Sequence, residues 1–111
     1  MPELKSNPLL SDIQNYVKEL ELERGFADQN IIQKCLMLGE ETGELFKAVR
    51  KSERLVMDRK SEVGEVSDEL ADIIVFLCSI ANRYNVDLEE AFRKKEEINK
   101  KRVWIKLEET E

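Results

Sequence analysis

Apolar residues recur at spacings of three and four along most of this chain. Nowhere do they alternate with polar residues for long enough to suggest a strand. That periodicity is the signature of amphipathic helices, and it restricts the chain to an all-α architecture. Only four Gly and two Pro interrupt it, which suits helices better than a sandwich or a barrel. Leu9, Leu10, Ile13, Tyr16, Val17 and Leu20 share one face and predict a first helix over 8–24. Asn7 is placed to cap it, Pro8 suits its first position, and Gly25 is placed to end it. Asp28 is the expected cap of a second helix over 29–52, with Ile31, Ile32, Cys35, Leu38, Leu45, Phe46 and Val49 on one face. A charged connection over 53–60 leads to a third helix over 61–84. A turn follows over 85–87, and then a fourth helix over 87–101, where Asp87 and Glu90 have capping-box spacing. These short connections predict an antiparallel four-helix bundle-like protomer, with residues 1–111 as a single domain. The tail over 103–111 brings Trp104 and Ile105, which are expected to dock on the body or on a partner chain, and its last residues are expected to fray.

The residue inventory narrows the chemistry. There is no histidine, which removes histidine-based catalysis and ordinary zinc sites. Cys35 and Cys78 both fall among aliphatic residues and read as small core residues rather than a disulfide. The apolar run 73–78 is too short to span a membrane. Met1 precedes a polar segment rather than a secretory leader, so the expected location is cytoplasmic. A net charge of −6 argues against nucleic acid as partner.

Acidic residues stand where an amphipathic helix should be apolar. On the second predicted helix, Glu41 sits on the shoulder of the apolar face and Glu44 lies about 60° further round, while Glu40 lies nearly opposite. On the third, Glu69 falls between Ile73 and Phe76, inside the apolar stripe, and Asp72 is at its edge. A lone carboxylate at such a position costs several kcal/mol unless it is neutralised, paired or metal-bound. If the two helices pack antiparallel, up to four carboxylates converge. Oxygen donors without histidine or thiolate suit Mg²⁺, with Mn²⁺ as a substitute. The plainer alternative is a set of solvated acids on a non-catalytic helical interaction protein.

Between Ile73 and Ala81 the third helix is apolar nearly all round, with Val75 and Cys78 away from its main face. Burial on two sides is expected, the second against another subunit. The fourth helix carries Leu88, Ala91 and Phe92 inward and continues that stripe with Lys95, Asn99 and Arg102. That basic end is either a helix terminus emerging into solvent or an anion site facing the carboxylates.

The composite Glu40-Glu41-x-x-Glu44, then 24 residues, then Glu69-x-x-Asp72, resembles the EExxE…ExxD signature of MazG-like nucleotide pyrophosphohydrolases, a branch of the all-α NTP pyrophosphatase superfamily. The segments "ERGF", "DELADIIVFL" and "ANRYNVDLEEAFRKKEEINKKR" are similar to the corresponding family segments. The resemblance implies a dimer or dimer of dimers and Mg²⁺-dependent hydrolysis of a nucleoside triphosphate to the monophosphate and pyrophosphate. It implies Glu41, Glu44, Glu69 and Asp72 as metal ligands, and Glu40 as holder of a water or second metal, or as base. Lys95, Asn99 and Arg102 become candidate phosphate contacts, with Lys34 a further candidate. Phosphoribosyl-ATP pyrophosphohydrolases are related, but the Tyr-His pair expected after the aspartate is replaced here by Ile73 and Ile74. Specialists for dCTP and dUTP are also relatives. Trp104, Phe26 and Tyr16 are candidates to stack on a base.

Overall fold

The computed structural model describes residues 2–107. It contains four helices and, among the described residues, no strand: α1 Leu10–Arg24, α2 Ile31–Ser52, α3 Val66–Arg83 and α4 Leu88–Asn99. The helices are the four expected, and most of their starts differ from the sequence reading for local reasons. Asn7 adopts a positive φ of 52° and does not cap α1. Leu9 takes that position instead, and its backbone N–H donates to Asp12 Oδ2 at 2.7 Å. Asn30, not Asp28, caps α2. Its Oδ1 accepts from the Gln33 backbone N–H while Gln33 Oε1 accepts from the Asn30 N–H, both at 2.9 Å. The α2–α3 connection extends to Glu65, so α3 begins five residues later than expected. Gly25 closes α1 in the left-handed region at φ 77°, as placed. Asp87 Oδ1 caps α4 by accepting from the Glu90 N–H at 3.0 Å. Residues 108–111 of the tail lie outside the described residues.

α2 and α3 form a long hairpin. α1 packs across α3, and α4 leans on α1. The central cluster is small: Val17 and Leu20 of α1 close on Cys78 of α3, flanked by Ile13, Tyr16, Val75 and Leu88. Each fully buried aliphatic side chain there contributes about 1.5–3 kcal/mol. Within the chain, α1 covers a second side of α3, through Val75 and Cys78. A third side, Leu70, Ile74 and Leu77, is left about 46–47% exposed. Phe92 was expected inward on α4 and is instead exposed.

α4 is secured by one buried amide. Gln14 of α1 donates from Nε2 to Asn82 Oδ1 (3.2 Å) and to the Val86 carbonyl (2.8 Å). Its Oε1 accepts from the Leu88 N–H (2.9 Å), and its backbone carbonyl accepts from Asn82 Nδ2 (2.9 Å). Every polar atom of this side chain is used, and together these bonds fix the turn between α3 and α4.

The inner face of α2 is not the one that hydrophobicity suggests. Lys34 and Ala48 are buried and Glu41 is half-buried, at seven-residue intervals facing α3. Ile32, Cys35, Leu36 and Phe46 point outward. Cys35 is thus a surface thiol rather than a core residue, while Cys78 is buried as expected. Lys34 turns inward to meet Glu21 of α1, while Glu41 turns inward onto the carboxylates of α3.

Candidate functional site

The α2–α3 hairpin brings Glu41, Glu69 and Asp72 together. One carboxylate oxygen from each lies within 4.8 Å of the others. Antiparallel packing produces this, because Glu69 and Asp72 are one turn apart on α3 and face the middle of α2. Glu69 is 9% exposed, as its place in the apolar stripe required. Asp72 opens to solvent and Glu41 lies between these extremes.

Three like charges this close cannot all persist. Burial, the hydrogen bond with Glu69 and the charges of Asp72, Glu69 and Glu44 push the Glu41 carboxyl up to about 7. Near neutrality Glu41 is therefore held partly protonated when no cation is present. Its Oε2 is buried without a hydrogen-bond partner. An unsatisfied buried acceptor beside two further carboxylates is the environment a hard divalent cation would complete, and the donor set is all oxygen.

The loop before α3 contributes by having no side chain. A β-carbon on Gly64 would collide with Glu69 Oε1. Gly39 and Gly43, by contrast, have open space around them.

Glu41 and Asp72 form one end of a pocket of about 220 Å³ whose lining also includes Lys34, Glu21, Phe26 and Ser79. Lys34 is 2% exposed. Its Nζ lies 3.3 Å from Glu21 Oε2 and 5.6 Å from the centre of the Phe26 ring. Arg83 approaches the same Glu21 oxygen at 3.6 Å and donates to the Ala27 carbonyl at 2.9 Å. Glu21 is thereby a buried carboxylate held by two cations, and its neighbour Lys34 is a buried ammonium with a countercharge.

Of the other residues expected at the site, Glu44 is half-buried, near enough to raise the Glu41 pKa, and paired loosely with Lys47 at 4.0 Å. Glu40 is exposed. Lys95 and Arg102 are exposed and Asn99 is half-buried, with its Oδ1 unpartnered, and none of the three lines this pocket. Phe26 does line it, whereas Tyr16 packs against the central cluster and Trp104 is exposed. Sequence reasoning passed over Glu21, Ser79, Arg83 and Gly64. Glu21 had a signal: it stands four residues after Val17, and Gln14 three before, on the buried stripe of α1. Gly64 had none.

Among the described residues, no helix is long and apolar enough to cross a membrane. Residues 29–103 match the profile of the MazG nucleotide pyrophosphohydrolase domain. The chain is similar to the uncharacterized protein YvdC of Bacillus subtilis (strain 168), 28% identical over 95 residues, covering 79% of this chain and 90% of that protein. It is similar in structure to iMazG from Vibrio DAT 722, with a TM-score of 0.64 and 32% identity over 83% of this chain and 98% of that one.

Proposed function

The chain belongs to the MazG nucleotide pyrophosphohydrolase family, and from that premise we propose that it hydrolyses nucleoside triphosphates to the monophosphate and pyrophosphate. Mg²⁺ is its cofactor, with Mn²⁺ as substitute. Residues 1–111 act as one catalytic domain, and a nucleotide substrate suits the cytoplasmic location expected from the sequence. The observation that carries this reading is the convergence of Glu41, Glu69 and Asp72 beside a pocket that Glu41 and Asp72 line.

Glu41, Glu69 and Asp72, with Glu44 beside them, are the residues that would hold the cation. When bound, the ion offsets phosphate charge and acidifies water. The chain supplies the rest. With the ion held, a carboxylate not fully committed to it would accept the proton of the attacking water. Glu69 is fixed between α2 and the Gly64 loop, so its carboxylate needs little reorganisation. Glu40 is exposed, and its proposed role is to hold a water or a second ion, or to act as base.

The protomer works as a dimer or a dimer of dimers. Its accessible surface is 9343 Å², against about 6,300 Å² for a compact monomer of this mass. Its radius of gyration is 17.8 Å, against about 13 Å. Leu70, Ile74 and Leu77 on α3 are one apolar part of that exposed surface, beside Ile32, Leu36 and Phe46 on α2. Lys95 and Asn99 sit on α4, Arg102 lies just beyond its end, and these three would reach the phosphates from a second copy.

A panel of ordinary and modified nucleoside triphosphates with Mg²⁺, scored for pyrophosphate release, tests the reaction. Release of orthophosphate alone, or no turnover on any of them, refutes it.

A further inference from the structure

The pocket has two ends, set by the same repeat on both helices. Lys34 precedes Glu41 on α2 by seven residues, and Ser79 follows Asp72 on α3 by seven. Seven residues are two turns, about 10 Å along each axis. In an antiparallel hairpin these steps run the same way. Glu41 and Asp72 therefore form one end of the pocket, and Lys34 and Ser79 form the other. Both groups at the far end are almost wholly withdrawn from water, at 2% and 1% exposure. Ser79 Oγ has no hydrogen-bond partner in the protein. A buried hydroxyl without a partner is rare and costly, and this one lines a pocket.

Resting on the hydrolase reading above, we propose that this far end binds the nucleobase of the substrate and selects single-ring bases, with Ser79 and the Lys34–Glu21 pair as its polar readers. The volume favours one ring. A cavity of about 150 Å³ holds a benzene. The 220 Å³ here must also serve the approach to the carboxylates. Pockets that enclose a whole drug-sized ligand are larger, roughly 300–1,000 Å³. The chemistry matches a pyrimidine edge, which sets carbonyl acceptors beside an N–H donor. Lys34 supplies donors, Glu21 an acceptor and Ser79 either. Leu20, Val75 and Phe76 supply apolar walls for the ring faces.

The test compares pyrimidine and purine nucleoside triphosphates in steady-state turnover, in the full-length protein and in Ser79→Ala. That variant keeps the fold because its hydroxyl bonds nothing. Pyrimidines are expected to have at least tenfold higher kcat/KM. Ser79→Ala is expected to raise KM for the preferred nucleotide about tenfold and to flatten the ranking of bases. Equal use of purines, or a KM and ranking untouched by Ser79→Ala, overturns the proposal while leaving the hydrolase reading standing. A second arm titrates the metal-free protein with cytidine, uridine and adenosine and follows amide chemical shifts. Shifts at Ser79 and Lys34 with the two pyrimidine nucleosides only support the subsite even if no triphosphate is hydrolysed. Their absence with all three nucleosides overturns it.

Discussion

Gly64 stands where only a hydrogen atom fits beside Glu69 Oε1. The loop residue and the buried carboxylate define each other's position. Gly64→Ala pushes against the end of a flexible side chain, so the fold is expected to hold within about 1 kcal/mol. Glu69 must swing out of the cluster to make room. Turnover and Mg²⁺ affinity are expected to fall at least tenfold with little change in Tm, read by a magnesium titration beside a thermal melt. Wild-type activity in this variant would separate Glu69 from the site.

The raised Glu41 pKa gives metal-free stability a defined slope with pH. The folded state holds a proton that the unfolded chain releases near 4.5. The Glu41 contribution to stability is therefore greatest below about 4.5 and falls as pH rises to about 7. Glu41 keeps some solvent contact, so the loss is expected to be on the order of 1–2 kcal/mol. Glu41→Gln mimics the protonated form and should flatten that slope. Denaturant midpoints measured from pH 4 to 8 in chelator check both statements.

Magnesium reverses the trend. A cation must displace the proton, so its affinity is expected to strengthen as pH passes 7. Because it binds only the folded state, saturating Mg²⁺ should raise Tm most at pH 8 and least at pH 5. A Tm gain independent of pH would mean that the ion binds elsewhere.

Gln14→Ala removes a side chain that satisfies Asn82, Val86 and Leu88 together. Leaving those groups unpaired is expected to cost about 2–4 kcal/mol. The α3–α4 turn should loosen first, so amide exchange at Val86 and Leu88 should accelerate more than exchange in the α2–α3 hairpin.

Charge placed on the exposed stripe should separate protomers. Ile74→Glu is expected to shift the sedimentation coefficient to that of a monomer and to lower turnover, with α-helical circular dichroism retained. A wild-type protein that sediments as a monomer at every concentration would remove the assembly from the account.

The four helices were legible because each carries a periodic apolar stripe and, at α4, a cap of the expected kind. Glu69 was legible as a misfit for the same reason: a charge inside a stripe has few physical excuses. The inward face of α2 was not legible. Its stripe of aliphatics points partly outward, because Lys34 has a buried countercharge, Glu21 on α1, that hydrophobic periodicity does not count. The cap of α2 was missed because Asp28 and Asn30 are interchangeable by type, and only backbone geometry chooses between them. That of α1 was missed because Leu9 caps through its backbone N–H to Asp12 and not through its side chain. Gly64 was invisible for a related reason, since a glycine in a loop acquires meaning only from the atom opposite it.

The attachment of α4 to α1 through Gln14 has a genetic corollary. If one chain's basic helix serves another chain's carboxylates, a subunit broken at Glu69 still lends a sound helix. A subunit broken at Arg102 still lends a sound acidic cluster. Two alleles, each inactive alone, would then restore partial activity when co-expressed, as complementing halves of a shared device.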